Sequence, residues 1–344
     1  MHIVVDIGHP AHVHLFKNFI REMKRRGHEI LITATEKDVA TELLRNHGFS
    51  YVAMGTYGSS RARKMLNIPI MDLKMYAAVK GFKPDVFVGA SAIRAAHAAR
   101  LMGRPCIIFD DTEHSKWEHI LYRPFASLIC TPGCFRKDLG KKQVRYNGYH
   151  ELAYLHPDYF TPDPRVLDTL GLKQGDRFVI VRFVAWEAAH DFGQRGFDFA
   201  GKRRLVKELE KHARVFITSE NPLPGEFEGY RISLPPEKVH DLLYYATLYI
   251  GEGATMASES AILGTPAIYV NTLRLGYLDE QEERYGLVFN FSDPALAGEA
   301  ALARAIDLLR EKDLKQEWRS RRDRLLQEKV DVTRFMVDLV EEQA

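Results

Sequence analysis

A chain of 344 residues is long for one hydrophobic core and comfortable for two domains. Hydrophobic residues make up 46% and charged residues 27%, the profile of a globular protein, and this excludes a disordered chain. The net charge of +2 argues against nucleic acid as a partner, no run of about 18 apolar residues predicts a transmembrane helix, and MHIVVDIGHP lacks the regions of a signal peptide, so a cytoplasmic location is expected.

The first half alternates strand and helix patterns. HIVVDI (2–7) is β-branched and bounded by Gly8 and Pro10. Val13, Phe16, Ile20 and Met23 then recur at helical spacing over 13–26, with Gly27 as the C-cap. EILITA (29–34) is the next strand, and 36–47 the next helix, closed by Gly48. YVAMG, VFVGA (86–90), PCIIFDD (105–111) and LICTPG (128–133) continue the theme. Apolar strands separated by helices predict a parallel sheet covered on both faces. The three cysteines, Cys106, Cys130 and Cys134, fit a reduced compartment. Cys130 and Cys134 have a ligand-like spacing but no second pair, so strand-end cysteines are preferred and no metal is expected.

HPDYFTPDP (156–164) reads as a linker, after which the pattern restarts. RFVIVRF (177–183), ARVFITS (213–219), TLYIGEG (247–253), PAIYV (266–270) and GLVFNF (286–291) predict a second sheet. Helices are expected at 201–211, 236–246, 255–264 and 294–310. The charged C-terminal stretch is expected to be helical, packing through Trp318, Leu325, Leu326, Phe335 and Val337. The expected domains are 1–160, 161–320 and a C-terminal helix, 321–344, returning to the first domain.

YYATLYIGEGATMASESAILGTPAIYV (244–270) is the most informative segment. A strand ends in Gly251-Glu252-Gly253 and a helix opens over Ala254 to Met256. Small residues let a ligand approach the backbone, and the free amides of a helix start suit a diphosphate. Glu259 lies one turn onward, where a carboxylate can accept both hydroxyls of a ribose. A plain strand–turn–helix packing unit explains the same pattern equally well.

This segment resembles the donor-nucleotide loop of GT-B glycosyltransferases and of non-hydrolysing UDP-N-acetylglucosamine 2-epimerases. Those families carry a small-residue turn, a helix with a glutamate, and L-G-x-P before a strand, here Leu263-Gly264-Thr265-Pro266. The resemblance implies an α/β fold of GT-B type, two Rossmann-like domains facing across a cleft. It assigns Glu259 to the ribose, and Gly253, Ala254, Thr255 and Met256 to the diphosphate. Glu252 departs from the serine- or aspartate-type residue commoner there. A carboxylate beside a diphosphate is unfavourable unless it points away or meets a cation.

KPDVFVGASAIRAAHAARLMGRPCIIFDDTEHS (83–115) also resembles a stretch of these families, ending in an acidic loop past a parallel strand. Ligands bind at that edge of open α/β sheets. Asp110, Asp111 and Glu113 should repel, which predicts a raised pKa for at least one. In the epimerases a glutamate of this loop does acid/base work, which points to Glu113. A solvated loop with an N-cap at Thr112 or Ser115 is the alternative.

The first turn, Gly8-His9-Pro10-Ala11-His12-Val13-His14, resembles the opening of many GT-B glycosyltransferases. In one branch a histidine at this turn deprotonates the acceptor hydroxyl, which implies that role for His12. Asp111 is then the acidic partner that orients its ring. Capping and surface roles compete, and a metal site is disfavoured because His12 and His14 diverge on a helix.

VRFVAWEAAHDFGQRGFD (181–198) ends a strand and enters a loop. A comparable epimerase strand ends in a basic loop and Phe-Gly. Phe192-Gly193 is kept, but Trp186-Glu187 and His190-Asp191 replace the basic residues. Arg182 and Arg195 are placed to neutralise phosphate, and Trp186 to stack on a ring or fill a core. The basic stretch SSRARKML (59–66) suits an acceptor or a peripheral contact with an anionic membrane, against a solvated face.

The resemblance spans about residues 1–330, and the whole chain looks most like an uncharacterised prokaryotic family of the GT-B group. It implies a metal-independent glycosyltransferase using a nucleotide-sugar, UDP-sugar first, and an unnamed acceptor, with no obligatory cofactor. A 2-epimerase-like enzyme and a non-catalytic nucleotide-sugar-binding protein are the alternatives, and monomer and homodimer both fit.

Overall fold

The apolar runs of the sequence form parallel strands, and the computed structural model describes residues 1–36, 39–58, 61–184, 196–219 and 223–343. In chain order the first elements are β1 (His2–Ile7), α1 (Pro10–Arg25), β2 (Glu29–Ala34), α2 (Ala40–Asn46), β3 (Val52–Ala53), α3 (Arg61–Val79), β4 (Val86–Ala90), α4 (Ile93–Met102), β5 (Cys106–Phe109), α5 (Lys116–Tyr122), β6 (Leu128–Pro132), β7 (Gln143–Tyr146) and α6 (Leu152–Leu155). There follow β8 (Phe178–Phe183), α7 (Phe199–Leu209), β9 (Arg214–Ser219), α8 (Val239–Tyr245), β10 (Leu248–Gly251), α9 (Ala254–Ile262), β11 (Ala267–Val270), α10 (Gly276–Glu283), β12 (Val288–Phe291), α11 (Ala297–Arg310), α12 (Leu314–Glu328) and α13 (Val332–Gln343).

The chain divides into two units, Met1–Tyr159 with Val330–Ala344, and Phe160–Lys329. The change of unit falls inside the proline-rich stretch 156–164. The C-terminal return starts later than expected from sequence. Trp318 and Leu325 of α12 are buried in the second unit, and only the segment from Val330 rejoins the first. There α13 packs on α1 and α6. Thr333 Oγ1 and Asn18 Nδ2 both donate to the Ala153 carbonyl, at 2.8 and 2.9 Å.

The first unit holds a seven-stranded parallel sheet in the order β3-β2-β1-β4-β5-β6-β7. Right-handed crossovers put α1 and α2 on one face and α3, α4 and α5 on the other. Met71, Met75 and Val79 of α3, Ala95 and Ala99 of α4, and Tyr122 of α5 close over Val4, Phe87, Ile108 and Ile129. The connection from β4 to α4 is tight: a Cβ at Gly89 would stand 2.5 Å from Ala92 Cβ. Strand order reverses between β1 and β4. β7 was not anticipated, since QVRY is a short polar edge strand without an apolar run.

The second unit holds a five-stranded parallel sheet, β12-β11-β10-β8-β9. Its strands are near-continuous apolar runs, as burial on both faces requires. Strand order reverses between β8 and β10, which sets the switch point where such sheets take ligands.

Candidate functional site

At the β8/β10 switch point, Gly251, Glu252 and Gly253 turn the chain from β10 into α9. Gly251 lies opposite Arg182 in the register, and a Cβ there would come within 2.7 Å of both the Arg182 carbonyl oxygen and its Cβ. Gly253 is the N-cap and provides no side-chain cap for the first amides of α9. Thr255 is exposed, and Ala254 and Met256 are half-buried. The Arg182 side chain runs past this turn, with Cγ 3.4 Å from where a Gly253 Cβ would lie. The fold therefore gathers Arg182, Gly253, Ala254 and Thr255 at an open helix N-terminus.

Glu252 points away from that opening. Its Oε2 accepts the Val184 amide at 3.1 Å and its Oε1 the Phe197 amide at 2.8 Å. Lys202 Nζ stands 3.7 Å from Oε2. Burial pushes the carboxyl up, against Lys202 and the two amides. The carboxylate thus joins the two ends of the segment 185–195, and the conflict with a diphosphate does not arise. Trp186, Glu187, His190, Asp191, Phe192, Gly193 and Arg195 lie outside the described residues.

Glu259 is buried one turn into α9, where Oε1 meets His240 Nε2 of α8 at 2.9 Å. Sequence reading missed His240 because a histidine on a short helix carries no motif.

In the first unit, Asp110, Asp111 and Glu113 follow β5 as expected, but each carboxylate has its own partner. Asp110 is buried, accepts the Tyr122 hydroxyl at 2.5 Å and the Thr112 amide at 2.8 Å, and lies 3.2 Å from His119 Nε2. Glu113 Oε1 accepts the Arg136 amide at 2.7 Å, which ties the acidic loop to the turn after β6. Asp111 Oδ2 lies 3.1 Å from His150 Nδ1, while Oδ1 accepts the Thr112 hydroxyl at 3.0 Å.

The raised carboxyl expected in this loop is not found at Asp111. Burial alone would raise it, but His150, the Thr112 hydroxyl and the charge of His12 more than offset this and hold it at about 2. The His150 imidazole is pushed up: burial disfavours its charge, and Asp111 overcomes this. His150 follows β7, the strand that was not predicted, so no sequence signal placed it beside Asp111.

His12 sits in the first turn of α1, half-buried, with Nδ1 accepting the Gly8 amide at 3.2 Å. That bond leaves the proton of a neutral ring on Nε2. Asp111, the acidic partner expected for His12, feels the charge of His12 but is paired with His150. The latter carries its proton on Nδ1 toward Asp111, and its buried Nε2 has no hydrogen-bond partner among the described residues.

A buried ion pair was also missed at the β1/β4 switch point. Arg94 at the start of α4 reaches Asp6 of β1 at 2.6 Å and the Thr35 hydroxyl at 2.9 Å, and Thr33 donates to Asp6 at 2.7 Å. Among the described residues no group of three or more His, Cys, Asp and Glu side chains is placed to hold a metal ion. Cys106 and Cys130 are buried strand residues, and burial pushes both thiols up, Cys130 to about 12.

Two parallel-sheet α/β units, of seven and five strands, make this a protein of the GT-B fold. Its residues 1–343 match the family described as protein of unknown function DUF354, and the chain belongs to that family. It is 24% identical over 277 residues to the uncharacterized protein MJ0665 of Methanocaldococcus jannaschii, covering 77% of this chain and 80% of that one. In structure it is similar to the UDP-GlcNAc 2-epimerase of M. jannaschii in complex with UDP-GlcNAc and UDP, with a TM-score of 0.64 and 11% identity over 91% of this chain and 94% of that one. It is also similar to the glycosyltransferase VinC in complex with DTDP, with a TM-score of 0.62 and 13% identity over the full length of both. Identities of this order carry the fold and not the reaction.

Proposed function

We propose that the protein is a glycosyltransferase that takes its sugar from a nucleoside-diphosphate donor, a UDP-sugar first. The observation that carries this reading is the open N-terminus of α9 at the switch point, with Arg182 alongside. Amides and helix dipole there suit a diphosphate, and Arg182 adds a charge-assisted contact. Met256 lies along the same opening. Glu259, fixed by His240, takes the ribose hydroxyls. The solved neighbours with UDP and DTDP bound support the ligand class.

The acid/base residues belong to the first unit. Asp111 holds the His150 imidazole with Nε2 as the proton acceptor. His150 Nε2 takes the proton of the acceptor hydroxyl as that oxygen bonds to the anomeric carbon. The bond from that carbon to the diphosphate breaks, and its electron pair leaves with the diphosphate, stabilised by the α9 amides. Positive charge at the leaving group comes from backbone and Arg182, so the step requires no metal ion. His12 presents Nε2–H to the substrate, and Glu113 supports the loop that carries Asp111.

Calorimetry against nucleoside diphosphates and their sugars tests the binding half. One of them should bind, and Arg182→Ala should weaken it about tenfold. His12→Ala and His150→Ala should leave that affinity unchanged and abolish transfer to an acceptor. Binding of no nucleotide, or unchanged turnover in both histidine variants, refutes the reading.

The ionised Asp111 beside an imidazole also suits a 2-epimerase, which removes and returns a proton on the sugar. Incubation with UDP-GlcNAc in deuterated water separates the two: isotope at C2 favours epimerisation, and transfer to an acceptor favours the first reading.

A further inference from the structure

The helices over one face of the first sheet carry large apolar side chains on their outer as well as their inner sides. On α3, Met71, Met75 and Val79 point into the core, while Leu66, Ile70 and Leu73 on the opposite side are exposed, Leu66 by 75% and Leu73 by 69%. Large apolar side chains on the outer side of a helix that already buries an inner apolar stripe call for a second apolar phase. The neighbouring α4 exposes Leu101 by 70%, and α5 exposes Trp117 by 63% and Ile120 by 61%.

These helices form one surface. α3 packs on α4 and α4 on α5. His97 of α4 joins the other two, with Nδ1 2.7 Å from Asp72 Oδ2 of α3 and Nε2 3.0 Å from the Leu121 carbonyl of α5.

The charge on this surface is mostly positive. Arg63, Lys74, Arg100 and Lys116 are exposed on the three helices. Their acids are Asp72 and Glu118, and Asp72 is paired with His97. At the end of α5, a groove of about 450 Å³ is lined by Ile120, Arg123, Pro124, Lys141 and Lys142. Lys142 Nζ donates to the Arg123 and Pro124 carbonyls, at 3.2 and 3.0 Å, and so fixes the groove wall. Arg123 and Lys141 remain as exposed cations at its mouth.

We propose that this face docks on an anionic phospholipid surface, with the side chains of α3, α4 and α5 entering the acyl boundary and the Arg123–Lys141 groove taking headgroup phosphate. Outward leucines, an exposed tryptophan and flanking cations are what an interfacial helix face needs. The apolar groups project singly from convex helices, which suits a fluid phase better than a fitted protein partner.

Flotation of the full chain with phosphatidylcholine vesicles, and with the same vesicles containing phosphatidylglycerol, tests this. Binding is expected to the anionic vesicles only and to be released by salt. Leu66→Ser with Leu73→Ser should weaken it about tenfold or more. Arg123→Glu with Lys141→Glu should weaken it about thirtyfold, at about 1 kcal/mol per basic residue lost. The positions are exposed, so thermal unfolding should not move and confirms folded variants. Absence of binding, equal binding to neutral vesicles, or variants that bind like the parent overturn the proposal. A dimer in sedimentation equilibrium that Leu66→Ser with Leu73→Ser dissolves also overturns it, and gives the face to a second copy.

Discussion

Asp111 Oδ2 and His150 Nδ1 meet at 3.1 Å past the C-terminal ends of β5 and β7, two strands of one parallel sheet with β6 between them. The pair is unequal in what it does to each member: the carboxyl falls to about 2 and the imidazole rises. For Asp111, a depressed folded value means stability that is present above its ordinary 3.8 and lost as pH falls through about 2. For His150, a raised folded value means stability present below its ordinary 6.5 and lost as pH rises through the folded value. Both contributions are therefore whole between about pH 4 and 6.5. His150→Ala should cost about 2 kcal/mol in that window and less on either side. Urea unfolding across pH, parent against variant, reads it directly. Two parallel curves would mean that the pair contributes nothing.

Glu252 and Gly196 are bound to each other by space as well as by hydrogen bonds. A Cβ on Gly196 would overlap the Glu252 carboxylate, which already accepts the amides of Val184 and Phe197. Removing the side chain leaves two amides without their acceptors. Glu252→Ala should cost about 3 kcal/mol, and Gly196→Ala about 2 kcal/mol. The two changes should not add, because the first removes the atoms that the second collides with. A double-mutant cycle in urea is the test, and strict additivity would sink the clasp. Burial also raises the carboxyl, so between its ordinary 4.5 and the folded value the native state binds more protons, and stability falls as pH rises. Glu252→Gln should flatten that slope.

Arg94 makes a harder demand on the first unit. Its guanidinium and Asp6 are both buried at 2.6 Å, so either alone is an uncompensated charge in the core. Arg94→Leu should destabilise by about 3–5 kcal/mol, whereas Arg94→Leu with Asp6→Asn should recover most of it. Thermal denaturation of both variants decides this. A double variant no more stable than the single would show that the network of Thr33 and Thr35, and not the charge pair, holds the switch point together.

The difference between what could and could not be read from the chain follows from the range of each interaction. β1, β2, β4, β8 and β10 are long apolar runs, and Gly27 and Gly48, both with positive φ, close α1 and α2 where the sequence puts them. Those signals are local. The α9 turn was legible for the same reason, since small residues and a helix start lie within a few positions. His150 is 39 residues from Asp111, by the difference of their numbers, and Arg94 is 88 from Asp6. Nothing near either residue encodes its partner, and the sheet order alone brings them together. For Glu252 the sequence left open whether the carboxylate points away from a diphosphate or meets a cation, because a sequence does not show which way a buried side chain turns. Its acceptors' partners, Val184 and Phe197, are 68 and 55 residues away.

His97 faces acceptors on both ring nitrogens, the Asp72 carboxylate on one side and the Leu121 carbonyl on the other. Both nitrogens must donate, so the ring in this arrangement is the imidazolium. Its value is accordingly raised: burial opposes the charge, and the Asp72 and Leu121 bonds overcome it. The sign follows. The contribution is fully present below the ordinary 6.5 and is lost as pH rises through the folded value. His97→Gln can donate from one group only, and should cost about 1 kcal/mol below pH 6.5 while costing little above the folded value. The same step should appear in the surface of α3 to α5, because the imidazolium ties all three. Hydrogen exchange of the α3 amides should accelerate in the parent as pH is raised through the transition, after correction for intrinsic rates, and be pH-independent in His97→Gln. Exchange that follows intrinsic rates alone in both proteins would refute a charged staple at His97.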